Sequence, residues 1–161
     1  MVKRFILMAI AVVFFFLQFP INNVNALELN EETRTVPLNE SGKDTTLASK
    51  QVINGERIFN ANCTKCHLQG KTKTNNNVSL GLEDLSKAEP RRDNLLALVD
   101  YLKYPTSYDG EDDYRELHPN VSRNDIFPEL RNLTEDDVYD VAAYMLIAPK
   151  LDDRWGGSIY Y

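Results

Sequence analysis

Cys63-Thr64-Lys65-Cys66-His67 is the stretch on which the reading of this chain turns. Two cysteines stand two residues apart, a histidine follows directly, and the chain has no other cysteine. A disulfide closing so short a loop does little for stability and leaves His67 without a role. A thioredoxin-like redox pair needs a strand–helix–strand setting, and the flanking sequence carries no such pattern. A structural zinc site needs four ligands, usually from a second Cys or His pair, and none exists. The reading that uses all three residues is C-x-x-C-H haem attachment. Cys63 and Cys66 then add across the two haem vinyl groups as thioethers. The His67 imidazole is held under the iron, where a proximal histidine is the usual ligand.

The second axial ligand has two candidates. His118 is the other histidine of the chain, and Met145 is the methionine left after Met1 and Met8 near the N-terminus. Met145 falls on an apolar stripe with Val138, Val141 and Ala142, the pattern of a packed core residue. His118 precedes Pro119 in an irregular segment, and a loop can carry such a residue across a haem. His118 is the expected ligand and Met145 the expected core residue. Two imidazoles imply a lower potential than a thioether ligand gives. They also close the iron, which argues against small-ligand activation and hence against a haem enzyme.

Outward from the motif the pattern is helical. Val52, Ile53, Gly55, Ile58 and Phe59 recur at three- and four-residue steps in a helix that begins near Thr46 and runs into Cys63. Glycine inside a helix costs about 1 kcal/mol relative to alanine, so Gly55 marks the close approach of another backbone. Leu80, Leu82 and Leu85 predict a short helical turn. Asp93 to Lys103 predicts a helix with Leu95, Leu98, Val99 and Leu102 on one stripe, ended by Pro105. Thr134 caps a last helix, with Asp137 three residues on, and Pro149 is expected to end it. Glu28 to Asp44 and Gly70 to Asn77 read as polar surface segments. The acidic loop Thr106 to Asp113 lacks the spacing of a calcium loop. The expected fold is all-α: about four helices around one covalent haem, with an N-terminal extension and an aromatic C-terminal tail. The first and last helices should cross near Gly55, opposite Ala143 or Tyr144.

The N-terminus has the layout of a secretory leader. Lys3 and Arg4 precede an unbroken apolar run of 13 residues, Phe5 to Leu17, and Val24-Asn25-Ala26 offers a small-residue exit. The run is shorter than the ~20 apolar residues of a spanning helix. Residues 1–26 are therefore expected to be removed, leaving 27–161 as one domain. Without Lys3 and Arg4, 16 of the 18 basic side chains face 24 acidic ones, a net charge of −8. Such a surface is a poor partner for nucleic acid and is steered towards basic protein surfaces.

Longer strings carry a resemblance. Asn54-Gly55-Glu56-Arg57-Ile58-Phe59, Pro90-Arg91-Arg92-Asp93-Asn94, Leu98-Val99-Asp100-Tyr101-Leu102-Lys103 and Pro105-Thr106-Ser107-Tyr108-Asp109-Gly110 precede His118-Pro119. Asp125-Ile126-Phe127-Pro128, Arg131-Asn132-Leu133-Thr134 and Trp155-Gly156-Gly157 with Tyr160-Tyr161 follow it. The chain resembles the cytochrome c-550 family, extrinsic subunits of oxygen-evolving photosystem II in cyanobacteria and in algae with red-type plastids. The resemblance implies a class I cytochrome c-like fold and the residue matching His118 as second iron ligand. It implies docking on the lumenal face of the thylakoid membrane beside inner-antenna proteins, reaction-centre lumenal loops and another extrinsic subunit. There the family helps to retain calcium and chloride at the manganese cluster and performs no catalysis itself. The tail, Trp155 to Tyr161, is expected to reach into that complex. The competing expectation is a diffusible electron carrier, which would bind its partners only transiently.

Overall fold

A computed structural model describes residues 29–157. The leader expected over 1–26, and Ile159, Tyr160 and Tyr161 of the tail, lie outside the described residues.

Two helices make the frame. Helix α2 (Ser49–Asn62) buries Val52, Gly55, Ile58 and Phe59 and runs straight into Cys63. It begins three residues later than its apolar pattern suggests, where the Gln51 side chain accepts a hydrogen bond from the Ala48 N–H at 3.0 Å. Ile53 does not share the buried face: it is 58% exposed, because 100° of helical rotation separates it from Val52. Helix α6 (Glu135–Leu151) starts at a reciprocal cap, with Asp137 N–H donating to Thr134 Oγ1 at 3.1 Å and Thr134 N–H to Asp137 Oδ2 at 3.0 Å. Its core face includes Val138, Val141, Ala142 and Met145.

The two helices cross at Gly55. A Cβ placed there would lie 2.1 Å from the Asp140 carbonyl oxygen and 2.8 Å from Tyr144 Cβ. Of the two expected neighbours it is Tyr144 that opposes Gly55, together with the Asp140 backbone one turn before it. Polar bonds lock the crossing. Gln51 Nε2 donates to Asp140 Oδ1 at 3.1 Å, and Asn54 Nδ2 donates to Asp137 Oδ1 and Asp140 Oδ2, both at 2.9 Å.

Helix α5 (Leu95–Lys103) packs on α6 through Leu95 and Leu98 and is capped by Asn94, whose Oδ1 accepts from Ala97 N–H at 3.0 Å. Helix α4 (Leu82–Lys87) buries Leu85. A four-residue helix, α1 (Glu31–Arg34), precedes the core, and another, α3 (Thr64–His67), carries the cysteine–histidine motif.

Three features depart from the expected layout. First, the polar N-terminal segment folds as a two-stranded antiparallel hairpin, β1 (Thr35–Pro37) on β2 (Asp44–Thr46). Its inward Val36 and the following Leu47 are buried. Second, Pro149 lies inside α6 rather than ending it. It sits in the last turn, so the helix runs only two residues beyond it and the Met145 carbonyl alone loses its intrahelical donor. The turn is also held from outside, because Lys150 Nζ donates to Glu32 O at 3.3 Å and to Thr35 O at 2.6 Å. Third, Trp155 is not part of an exposed tail. Its indole Nε1–H donates to Leu80 O at 2.9 Å, and its ring packs on Phe59 (centroids 5.0 Å apart) and Tyr144 (5.8 Å). Gly70 and Gly156, both at positive φ, make the room: a Cβ on Gly70 would strike the Trp155 ring at 2.6 Å, and one on Gly156 would strike Gly81 at 2.7 Å.

Candidate haem site

The end of α2 places Cys63 by an N–H bond to Phe59 O at 2.8 Å. The chain then turns tightly, with Cys66 and His67 N–H groups both donating to Cys63 O, at 3.1 and 2.8 Å. This single turn sets both thiols and the His67 imidazole on the wall of one cavity. The cavity has a volume of about 140 Å³ and opens to solvent on one side. Its walls are mainly apolar, from Ile58, Leu102, Leu130, Leu133, Val138 and Val141.

His118 comes to the same cavity from a loop on the far side, its backbone N–H donating to Tyr114 O at 2.8 Å. The His67 and His118 ring centroids are 6.1 Å apart. Two imidazoles sharing one metal at about 2.0–2.1 Å, each ring centre ~1.1 Å behind its nitrogen, would have centroids about 6.3 Å apart. The two rings are therefore spaced to hold one ion between them. Met145 is 4% exposed and belongs to the core cluster; it does not line this cavity.

Electrostatics favour the same use. Burial depresses His67 below its ordinary value. Burial first, and the nearby His67 second, push His118 down to about 4, while the Pro119 backbone opposes the shift. Both rings are then neutral near pH 7 and keep a lone pair for a metal. Burial, with a smaller contribution from Cys66, pushes the Cys63 thiol up to about 12. A redox dithiol needs the reverse, a depressed thiol. Cys63 and Cys66 are free of a disulfide. The donor set thus fits a covalently held haem: two thiols on the cavity wall and two neutral imidazoles 6.1 Å apart, tilted by 49°.

Several supporting residues were not apparent from sequence. Thr72 Oγ1 lies 3.3 Å from His67 Nδ1 and orients the ring. Tyr101 packs against His118 with tilted rings and centroids 5.2 Å apart. Arg92, only 7% exposed, lies over the other side of this assembly, its guanidinium carbon 4.1 Å from the Tyr101 centroid. Arg92 Nη2 also donates to Ser107 O at 2.5 Å and Thr106 Oγ1 at 3.1 Å. Nothing in the sequence around Arg92 marks it as buried. Asn120 is fully buried beneath the His118 loop.

Comparison with known proteins agrees with this geometry. The model of the cytochrome c-550 domain matches residues 27–161. The chain belongs to the cytochrome c-550 family. It accordingly carries a covalently bound c-type haem and is a non-catalytic electron-transfer protein. It is 72% identical over 159 residues to photosystem II extrinsic protein V of Rippkaea orientalis, covering 99% of each chain. It is 74% identical over 135 residues to the protein of the same name from Microcystis aeruginosa, covering 84% of this chain and 100% of that one. The crystal structure of a cytochrome c549 superposes with a TM-score of 0.76 at 48% identity, over 79% of this chain and 99% of the other. The all-α class I cytochrome c-like architecture is thus shared. Among the described residues no helix is long and apolar enough to cross a membrane.

Proposed function

We propose that this protein is the haem-bearing extrinsic subunit of photosystem II, held peripherally on the lumenal face of the thylakoid membrane. In this reading it stabilises the manganese–calcium cluster and its calcium and chloride requirement. The observation that carries the haem assignment is the pair of imidazoles 6.1 Å apart across an apolar cavity with both thiols on its wall. The shared name of the relatives at 72% and 74% identity supports the assembly.

Cys63 and Cys66 are the thioether anchors, and His67 and His118 are the axial ligands. When bound, the haem supplies one-electron chemistry at low potential. The protein's own residues hold its surroundings fixed. Thr72 orients His67, Tyr101 flanks His118, and the apolar walls keep water from the cavity. With both axial positions filled by side chains, the site is built to hold or pass an electron rather than to activate a substrate.

Residues 1–26 serve as a removable leader that takes the chain to the lumen; the family match beginning at residue 27 supports that boundary. Trp155, rooted in the core, sets the starting point of the tail, and Tyr160 and Tyr161 are its docking aromatics. The acidic surface gives the partner face a basic complement.

Salt or alkaline washing of oxygen-evolving particles, followed by rebinding of the purified holoprotein, tests this reading. The expected result is release with the wash and restoration of oxygen evolution on return, most strongly in low calcium and chloride. Free diffusion from unwashed particles, with no effect on oxygen evolution, would instead favour a mobile carrier.

A further inference from the structure

The loop that brings His118 to the cavity has almost no apolar anchor. From Tyr108 to Glu129 a single residue is fully buried, and it is Asn120, an amide. Leu117, beside His118, is 73% exposed. The charged residues of the loop pair with one another on its outer surface: Arg115 with Asp113, and Arg123 with Asp125 and Glu116. Such exposed pairs contribute little. What ties the loop together is Asn120. Its Nδ2 donates to Arg115 O at 2.9 Å and to His118 O at 2.8 Å. Its Oδ1 accepts from Arg123 N–H at 3.0 Å and from Ser122 Oγ at 2.7 Å. All four hydrogen-bonding positions of the amide are thus used, and they span the loop on both sides of His118.

We infer that Asn120 is the positioning residue that keeps the sixth position closed. It acts through the His118 backbone and does not itself line the cavity. The inference rests on His118 being the second ligand. Opening the sixth position by displacing the His118 segment of the loop breaks the Nδ2 bond to the His118 carbonyl. A small buried amide therefore decides whether this haem is inert or can take an exogenous ligand. Burial also removes the Asn120-Val121-Ser122 sequon from any use as a glycan acceptor.

The test is carbon monoxide association with the reduced holoprotein, followed by visible absorbance, with thermal unfolding and paramagnetic resonance of the oxidised form alongside. Asn120→Asp keeps the shape and the two accepted bonds but loses both donated ones. It is expected to bind carbon monoxide about thirtyfold faster than the parent, which corresponds to about 2 kcal/mol, while the oxidised protein stays mainly low-spin. Thr134→Ala is the destabilised control: it loses a helix cap outside the loop, at a residue that does not line the cavity, and its rate should match the parent. If Asn120→Asp does not accumulate, Asn120→Ser is read in the same way, with an expected increase of about fivefold. A rate for the Asn120 variant no greater than that of Thr134→Ala would reduce Asn120 to a purely structural residue and overturn the inference. His118→Ala separates the two levels. It should be high-spin and bind carbon monoxide at once; a low-spin, unreactive His118→Ala would overturn the ligand assignment itself.

Discussion

Replacing Gly55 by alanine sets helix propensity against tertiary packing. Propensity alone favours the variant by about 1 kcal/mol. The crossing opposes it, since the added methyl would meet Asp140 O at 2.1 Å, Asp140 C at 2.7 Å and Tyr144 Cβ at 2.8 Å. Two of these atoms are backbone and cannot rotate away. Ordinary carbon contacts lie at about 3.5–4.0 Å, so α2 and α6 must part by more than 1 Å. The three side-chain bonds across the crossing, at 2.9–3.1 Å, then exceed hydrogen-bond length. Their loss costs about 3 kcal/mol at ~1 kcal/mol each, and overpacking adds ~1–3 kcal/mol. Less the propensity gain, Gly55→Ala should be destabilised by about 3–5 kcal/mol, a large share of the ~5–15 kcal/mol that holds a domain together. Ile58 and Val141 line the haem cavity from these two helices, so the Soret band should shift as well. Guanidinium unfolding of the holoprotein, followed by far-ultraviolet dichroism, measures the change. A Gly55→Ala protein as stable as the parent, or more so, would show that the crossing is looser than these distances require.

Other substitutions separate the remaining supports. Trp155→Phe should lose about 1 kcal/mol through the orphaned Leu80 carbonyl, leaving the haem spectrum unchanged in equilibrium unfolding and visible absorbance. Arg92→Met should cost about 2–3 kcal/mol, because the Thr106 and Ser107 groups lose a charged donor, and should broaden the paramagnetic-resonance signal as Tyr101 and His118 loosen. Thr134→Ala should cost about 1 kcal/mol near pH 7. Asn54 first, then Thr134, hold the Asp137 carboxyl below its ordinary value. The stabilisation linked to that depression is present above the unfolded aspartate value and is lost as pH falls through the folded one. The gap between parent and Thr134→Ala in urea unfolding should therefore narrow as pH falls from 5 to 3.

Local chemistry made some of this legible. Cys63, Cys66 and His67 are contiguous, so they read as one motif without the fold. The buried stripes of α2, α5 and α6 follow from apolar spacing, and Met145 sits in the core as its stripe requires. Gly55 announced a helix contact because glycine has no local reason to stand there. The missed features are tertiary. Three-residue strands are too short for a period-two pattern, and the hairpin is anchored by Val36 and Leu47 in a core that only the fold assembles. Pro149 reads as a stop when its neighbours are unknown. Trp155 looks like a mobile aromatic until Gly70, Gly81 and Gly156 are seen to make space around it and its backbone. Asn120 and Arg92 are polar residues whose burial no local pattern reveals, since their partners are backbone carbonyls set by the fold.

The central claim is a haem closed by two histidines, one of them His118. Low-temperature paramagnetic resonance of the oxidised parent, His118→Ala and Met145→Leu proteins tests it most directly. The account predicts a low-spin bis-imidazole signal in the parent and in Met145→Leu, and a high-spin signal in His118→Ala. A low-spin signal that survives in His118→Ala but is lost in Met145→Leu would contradict it.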